Sequence, residues 1–326
     1  MKSLLLSVLL LFSFVGYADP LLVAPKLQPG DTVELISSGF RIDTFFLFEA
    51  AKHRLKKLGL KVVVGNAVTG HSGYFAGDDD ARAADINAAF ANPNIKAIFE
   101  IRGGWGSARL LDKINYAQIQ QHPKIFVGFS DITTLLLAIH HKTGLVTFHG
   151  PMPGSFTWPS FTTDQLKAML FDTKPVTLQN PAHYPIITIT PGTATGTLLG
   201  GNLTILTTLL GTAYAPTDWK GKILFVEDTH VDAYEIDRAL TQLERAGVLQ
   251  QLSGIVVGTC VDCTRQIPGS PTIEQVYEQH LKPLHIPAWT GAMIGHQSMI
   301  WTVPEGVPVT INANKGTIQL LQAAVK

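Results

Sequence analysis

Short apolar runs alternate with segments of helical periodicity along the first half of the chain, and this alternation constrains the fold most strongly. The expected strands are residues 32–36, 61–64, 97–101 and 124–129, and the expected helices are residues 45–58, 79–90, 107–114 and 131–141. Strands that are separated by helices favour a parallel sheet covered on both faces, because parallel neighbours need a long crossover connection. The first half is therefore predicted to be an α/β domain.

The second half contains more strands and fewer helices. Residues 176–199 are rich in Thr, Ile, Val and Pro and predict short strands. Further strands are expected at 223–226, 255–257, 309–311 and 316–321, and helices at 203–210, 232–246 and 272–280. A length of 326 residues suits two domains. We predict an N-terminal domain over 19–155, a linker over 156–185 and a smaller, β-rich α/β domain over 186–326.

Residues 1–18 have the pattern of a signal peptide. Lys2 precedes an apolar run over 4–15, and small residues stand at Gly16 and Ala18. Cleavage is expected after Ala18. The run is too short to span a bilayer comfortably, so no stable membrane insertion is expected after cleavage. The pattern predicts export to the periplasm.

The composition is that of a globular protein with a large core. Hydrophobic residues make up 46% of the chain and charged residues 15%, with 25 acidic and 25 basic side chains. This balance gives no electrostatic reason to expect a nucleic-acid partner.

The only two cysteines, Cys260 and Cys263, form a C-x-x-C pair. A structural loop, with or without a disulfide, and a redox pair both fit this spacing. A zinc site needs about four ligands, and the sequence has no second cysteine pair and no H-x-x-x-H motif. No metal is expected.

In open α/β sheets, ligands bind beyond the carboxyl ends of the strands, and reactive residues follow several of the predicted strands. Ser130 lies in Gly128-Phe129-Ser130-Asp131, between a strand and a helix. Such a turn presents a serine outward, next to the free N–H groups of the helix start. A helix cap is an equally simple interpretation, and the motif alone favours it.

Three further features could complete a site. The glycine-rich turn 102–106 follows another strand and leaves backbone N–H groups open to a ligand oxygen, as an oxyanion hole or as a tight loop. Glu227 and Asp228 follow the apolar run 223–226, where either carboxylate could orient a histidine or form a salt bridge. The chain has eleven histidines, and the pattern barely ranks the plausible bases, which are His296, His149, His140, His141 and His230.

In these segments the chain closely resembles the LD-carboxypeptidase family of serine peptidases, which includes the enzymes that degrade microcin C. The resemblance covers nearly all of the mature chain and rests on the order of several segments. They are GD at 77–78, RAADIN at 82–87, RGGWG at 102–106, GFSD at 128–131, HGPM at 149–152, GGNL at 200–203, LGT at 210–212, ED at 227–228 with Tyr234, Ile236-Asp237-Arg238 and Leu243, and GH at 295–296 with Pro304 and Gly306.

The resemblance implies a triad of Ser130, His296 and Glu227, with the backbone N–H groups of Gly104 and Asp131 as oxyanion hole. It implies a flavodoxin-like N-terminal domain that holds the nucleophile and a C-terminal domain that supplies the base and the carboxylate. Family members are commonly homodimers, so a homodimer is expected. No cofactor is implied.

The implied reaction is hydrolysis of the bond between the L-centre of a diamino acid and the terminal D-alanine of a murein tetrapeptide. The family's peptidoglycan-recycling members are typically cytoplasmic, whereas this chain carries a predicted signal peptide. Another peptide-like amide, such as an aminoacyl conjugate of the microcin type, is therefore an alternative substrate. An alternative from another class is an exported solute- or muropeptide-binding protein, because two α/β domains behind a signal peptide fit that description as well.

Overall fold

The structure, a computed structural model, describes residues 21–155, 158–263 and 269–326. The predicted signal peptide at residues 1–18 lies outside the described residues. Within the described ranges, no helix is both long enough and apolar enough to cross a bilayer.

The secondary structure follows the expected alternation in the first half and is richer in strands in the second. The strands are β1 Thr32–Ile36, β2 Lys61–Val64, β3 Ile95–Glu100, β4 Ile125–Gly128, β5 Phe148–His149, β6 Thr177–Gln179, β7 Ile187–Thr190, β8 Thr193–Asn202, β9 Lys222–Thr229, β10 Gly254–Val261, β11 Ala288–Ala292, β12 Val303–Pro304, β13 Pro308–Asn312 and β14 Thr317–Leu320. The α-helices are α1 Phe45–Lys57, α2 Asp79–Ala91, α3 Tyr116–Gln121, α4 Thr133–Thr143, α5 Ser160–Leu170, α6 Leu203–Leu209, α7 Ala233–Arg245 and α8 Ile273–Leu281.

The N-terminal domain is built on a six-stranded sheet in the order β12-β5-β4-β3-β1-β2. The five strands from the first half of the chain run parallel, and β12 pairs antiparallel with β5. All four residues of β4 are buried, as expected for a central strand that is covered on both faces. This confirms the predicted α/β architecture. It also shows that a strand from the second half completes the first sheet.

The C-terminal domain is built on an eight-stranded sheet in the order β6-β14-β13-β8-β9-β10-β11-β7. The four strands from β8 to β11 are parallel, and antiparallel strands flank them on both sides. The helix α7 begins with a capping box between Asp232 and Glu235 and buries Ile236, Leu240 and Leu243. The parallel centre directs the ends of β8 and β9 toward the first domain.

The sequence pattern and the structure differ at several elements. The range 156–185, treated as a linker from its composition, contains α5 and β6. Leu166, Met169 and Leu170 of α5 are buried, and this apolar face anchors the helix to the core. The segment 107–114 forms a 3-10 helix, Ser107–Lys113, instead of an α-helix, and α4 begins only after a 3-10 turn over Ser130–Ile132.

The helix α4 joins the two domains. Leu135, Leu136 and Leu137 point in different directions around the helix and are all fully buried, so protein surrounds α4 on every side. It contacts β4 and β5 of the N-terminal domain, and β8 and α6 of the C-terminal domain. The nucleophile candidate Ser130 precedes this helix directly, so the position of α4 sets the position of Ser130 relative to the second domain.

Candidate active site

Ser130 lies on a tight turn between β4 and α4. Its backbone has a φ of +65°, in the left-handed region that a residue with a side chain seldom adopts. The turn requires a glycine at Gly128, where a Cβ would lie 2.6 Å from Cγ2 of Ile132. The Ser130 hydroxyl forms a hydrogen bond with His296, and α4 has no side-chain cap at its start. The capping interpretation of Ser130 is therefore not what the structure shows.

Ser130, His296 and Glu227 form a hydrogen-bonded chain across the two domains. Nε2 of His296 lies 3.0 Å from Oγ of Ser130, and Nδ1 of His296 lies 2.8 Å from Oε2 of Glu227. A carboxylate only accepts, so Nδ1–H donates to Glu227 and leaves Nε2 free to accept from the Ser130 hydroxyl. The Glu227 side chain is fully buried, whereas that of His296 is 20% exposed. The arrangement can transfer a proton from the serine to the imidazole.

The position of Glu227 depends on a hydrogen bond from Asn202 and on the space that two glycines leave for its side chain. Its second oxygen, Oε1, accepts a hydrogen bond from Nδ2 of Asn202 at 3.3 Å. Two glycines make room for the side chain. A Cβ at Gly295 would lie 2.2 Å from Oε2 of Glu227, and a Cβ at Gly258 would lie 3.0 Å from its Cβ. The position of this carboxylate therefore depends on the absence of side chains around it.

Asp228, the adjacent carboxylate, has a different task. Its Oδ2 accepts hydrogen bonds from the backbone N–H and the hydroxyl of Thr204, at 2.9 and 2.7 Å. Asn202 also donates to its Oδ1, at 3.1 Å. Burial raises the pKa of Asp228, and the hydrogen bonds from Thr204 oppose that shift. Asp228 thus stabilises the first turn of α6, and of these two adjacent carboxylates it is Glu227 that contacts a histidine.

The other histidine candidates do not contact Ser130. His149 is fully buried, neither of its ring nitrogens has a hydrogen-bond partner among the described residues, and burial lowers its pKa to about 3. His140 contacts the carbonyl of Leu145 through Nδ1, and burial lowers its pKa. His230 lies at the surface beside Thr229 and Asp262.

Two backbone N–H groups lie beside the Ser130 turn without a partner. Gly104 has a φ of +106°, which glycine adopts readily, and the described residues offer no acceptor to its N–H or to that of Asp131. The two segments pack closely, because a Cβ at Gly103 would lie 3.1 Å from Cβ of Ser130 and 3.3 Å from N of Asp131. The arrangement provides two free donors next to the hydroxyl.

A buried charged cluster lies behind the glycine turn. Glu100 is fully buried at the end of β3 and accepts hydrogen bonds from the backbone N–H of Ser38, at 2.9 Å, and from its hydroxyl. Burial raises the pKa of Glu100 to about 7, and the nearby Asp131 adds to the shift, whereas Arg82 opposes it. The cluster places ionisable groups directly beneath the candidate oxyanion hole.

Cys260 and Cys263 form a disulfide at the end of β10. Cys260 pairs across the sheet with Asp228, the neighbour of Glu227. Over the described part of the chain, no group of three or more His, Cys, Asp or Glu side chains is arranged to hold a metal ion.

The fold and the Ser-His-Glu chain together define a serine hydrolase whose site lies between two α/β domains. The family model of the LD-carboxypeptidase N-terminal domain matches residues 33–150, and that of the LD-carboxypeptidase C-terminal domain matches residues 195–311. The chain therefore belongs to the LD-carboxypeptidase family and is a serine-type carboxypeptidase.

Individual relatives agree with this assignment. The chain is 39% identical over 305 residues to the "Probable murein peptide carboxypeptidase" of Bacillus subtilis. The aligned region covers 90% of this chain and 92% of the relative. It is 30% identical over 299 residues to the murein tetrapeptide carboxypeptidase of Pseudomonas aeruginosa, with 88% and 95% covered. The solved structure of the microcin C7 self-immunity protein MccF with aspartyl sulfamoyl adenosine superposes with a TM-score of 0.86 at 26% identity, covering 94% of this chain and all of that one. MccF is a protein of Escherichia coli.

The sequence and the family resemblance predicted Ser130, His296 and Glu227, but not the roles of two residues that position Glu227. Asn202 holds the carboxylate of Glu227 and also accepts from the N–H of Ile205 at the start of α6. A polar residue directly before a helical segment predicts the cap, but nothing in the sequence predicts the contact with Glu227. The need for Gly295 likewise follows only from the packing.

We expect Gly295→Ala to lower kcat by at least about 100-fold, because the new methyl group would displace the Glu227 carboxylate from His296. Gly247→Ala is the matched control. Gly247 also has a positive φ, +71°, but a Cβ there meets nothing within 4 Å. Gly295→Ala should lose more stability in thermal unfolding than Gly247→Ala, and of the two folded variants only Gly295→Ala should lose turnover. Equal kcat values in the two folded variants would contradict the proposed packing constraint.

We also expect Glu100 to make stability depend on pH. Its folded-state pKa of about 7 lies above the unfolded value of about 4.3, so the unfolded chain releases the proton first as pH rises. The free energy of unfolding should therefore fall between about pH 4.5 and about pH 7, by about 3 kcal/mol more in the wild type than in Glu100→Gln. Urea titrations across this range measure the difference. The surface variant Glu278→Gln should keep the wild-type slope, and a Glu100→Gln curve as steep as the wild type would refute the assignment.

Proposed function

We propose that this carboxypeptidase hydrolyses the bond between the L-centre of a diamino acid and the terminal D-alanine of murein tetrapeptides, through an acyl-enzyme on Ser130. The hydrogen-bonded chain from Ser130 through His296 to Glu227 carries the proposal, because it supplies a nucleophile, a base and an orienting carboxylate in contact. The relatives named for murein peptides support the choice of substrate.

The first step is attack on the substrate carbonyl. His296 removes the proton of the Ser130 hydroxyl through Nε2 while Oγ bonds to the carbonyl carbon. Glu227 fixes the tautomer by accepting from Nδ1–H and stabilises the imidazolium that forms. The burial of Glu227 strengthens this interaction, since little water competes for the carboxylate.

The negative charge of the tetrahedral intermediate needs donors that are already in place. The N–H groups of Gly104 and Asp131 are free and lie beside Ser130, so they suit the oxyanion. Each such donor typically contributes about 3 kcal/mol to transition-state stabilisation. The start of α4 adds the positive end of its dipole on the same side.

Collapse of the intermediate releases D-alanine and leaves the rest of the peptide as an ester on Ser130. His296 gives its proton to the leaving amine, and it then takes a proton from the water that attacks the ester. Hydrolysis regenerates the free serine, so one water is consumed for each peptide bond that is cleaved.

A second candidate substrate is an aminoacyl conjugate of the microcin type. The likeness to MccF in complex with aspartyl sulfamoyl adenosine favours it. Both substrates present a carbonyl to the same nucleophile, so the mechanism is shared and only the group that follows the carbonyl differs. The solute-binding alternative offers no reason for the assembled Ser-His-Glu chain.

The test is release of D-alanine from a murein tetrapeptide, with an aminoacyl sulfamoyl adenosine as the competing substrate. We expect the wild type to release D-alanine and Ser130→Ala to lose at least about 1,000-fold in kcat. His296→Ala should lose a similar factor because the base is removed. His149→Ala serves as control and should keep most of its turnover while folded.

Three outcomes would revise the proposal. Unchanged turnover in Ser130→Ala would exclude the acyl-enzyme. A greater loss in folded His149→Ala than in His296→Ala would reassign the base. Cleavage of the sulfamoyl conjugate without release of D-alanine from the tetrapeptide would favour the microcin-type substrate.

We further propose that the protein is exported and acts as a periplasmic homodimer. The n-region, apolar run and small residues of 1–18 support export, and the common state of the family supports the dimer. Expression with the native N-terminus should yield a secreted protein whose first residue is Asp19, as read by N-terminal sequencing, and whose mass by light scattering is twice that of one chain. A first residue of Met1 would refute cleavage, and the mass of a single chain would refute the dimer.

A further inference from the structure

We infer that the side chain of Asp131 is a positioning group that fixes the glycine turn to the Ser130 turn, and so sets the spacing of the two oxyanion donors. The inference builds on the proposed function, which assigns the backbone N–H groups of Gly104 and Asp131 to the oxyanion. It adds a role for the carboxylate of Asp131, which no step of the mechanism above uses.

The tie between the two segments is direct. Oδ2 of Asp131 accepts hydrogen bonds from the backbone N–H of Ser107, at 3.0 Å, and from its hydroxyl, at 2.8 Å. Both residues are fully buried. Ser107 directly follows the glycine turn 102–106, and Asp131 directly follows Ser130, so one carboxylate connects the two segments that carry the donors.

The glycine turn needs such a tie because its own residues restrain it little. Gly104 and Gly106 have φ values of +106° and +126°, and glycine can leave this region at low energy. The N-terminal part of the turn is held by the hydrogen bond from the N–H of Phe40 to the carbonyl of Gly103, at 3.0 Å. The C-terminal end of the turn is held by Ser107, whose N–H and hydroxyl both donate to the carboxylate of Asp131.

The guanidinium of Arg82 lies against the glycine turn at Gly106, and its positive charge acts on the carboxylate of Asp131. The side chain of Arg82 is fully buried, it donates to the carbonyl of Ser38 and to Asp79, and its guanidinium lies 4.4 Å from the ring centre of Phe75. A Cβ at Gly106 would lie 2.8 Å from Nη1 of Arg82, so the turn passes directly over the cation. Burial raises the pKa of Asp131, whereas its hydrogen bonds with Ser107 and the charge of Arg82 favour the ionised form.

The expected effect is on the rate of acylation. Loss of the tie would let the N–H of Gly104 move relative to that of Asp131, and a displacement of about 1 Å in a catalytic group can lower the rate about 100-fold. Substrate binding before the reaction does not require the oxyanion donors, so KM should change far less than kcat.

The experiment compares Asp131→Ala, Asp131→Asn and Ser107→Ala by kinetics with the murein tetrapeptide and by the rate at which a fluorophosphonate labels Ser130. The probe reacts through the same oxyanion hole whatever the natural substrate is. We expect Asp131→Ala to lose about 100-fold in kcat and in labelling rate, with KM within about threefold of the wild type. Asp131→Asn and Ser107→Ala keep part of the tie and should lose about tenfold.

Asp85→Asn is the matched control. Asp85 is also a buried carboxylate that accepts from backbone N–H groups, those of Asn66 and Ala67, at 2.9 and 2.8 Å, but it belongs to α2 and its partners lie outside the site. It should lower the melting temperature and leave kcat and the labelling rate of the folded protein within about threefold of the wild type.

The outcomes separate this inference from the proposed function. Wild-type labelling rates in Asp131→Ala, or in both milder variants if Asp131→Ala does not fold, would overturn the positioning role. A loss of labelling equal to that of Asp85→Asn would also overturn it, because the effect would then be general destabilisation. A labelling rate that falls about 100-fold while the wild type releases no D-alanine would support the positioning role and refute the substrate.

Discussion

The close contact between the end of β8 and the start of α4 is the constraint on which the site depends. The N–H of Asn202 donates to Oγ1 of Thr133 at 3.0 Å, and a Cβ at Gly201 would lie 2.5 Å from the Cγ2 of Thr133. Thr133 begins the helix that follows Ser130, and Asn202 holds Glu227. These contacts therefore connect the nucleophile of one domain to the carboxylate of the other.

The site combines rigid polar contacts with space left by glycines. Ser130 has an unfavourable left-handed backbone, which persists because β4 on one side and the buried helix α4 on the other leave the turn little freedom. Glu227 occupies space that a side chain at Gly295 would fill. The Ser130 turn is thus held by the two elements that flank it, whereas Glu227 is held by packing from distant parts of the chain.

The sequence predicted the parts of this site that depend on local pattern. The rule that functional groups follow parallel strands pointed to Ser130, the glycine turn and Glu227, and the alternation of strands and helices predicted the first domain. The choice of His296 over His149 could not come from local pattern, because it depends on which ring contacts Ser130 across the domain boundary; it came from the family resemblance. Helix α5 was taken for a linker because Pro, Gly and Ser are frequent just before it, and β12 is too short to show a period.

The antiparallel strand β12 has a consequence for the order in which the protein is made. Val303 and Pro304 complete the sheet that carries Ser130, although they lie more than half the chain away from it, and the base at His296 is also late. A nascent chain that contains only the first half has the nucleophile Ser130, but it lacks the base His296 and the edge strand β12. The hydrolytic apparatus is thus completed only after Pro304 has been made, so shorter chains carry the serine but lack the base or the edge strand.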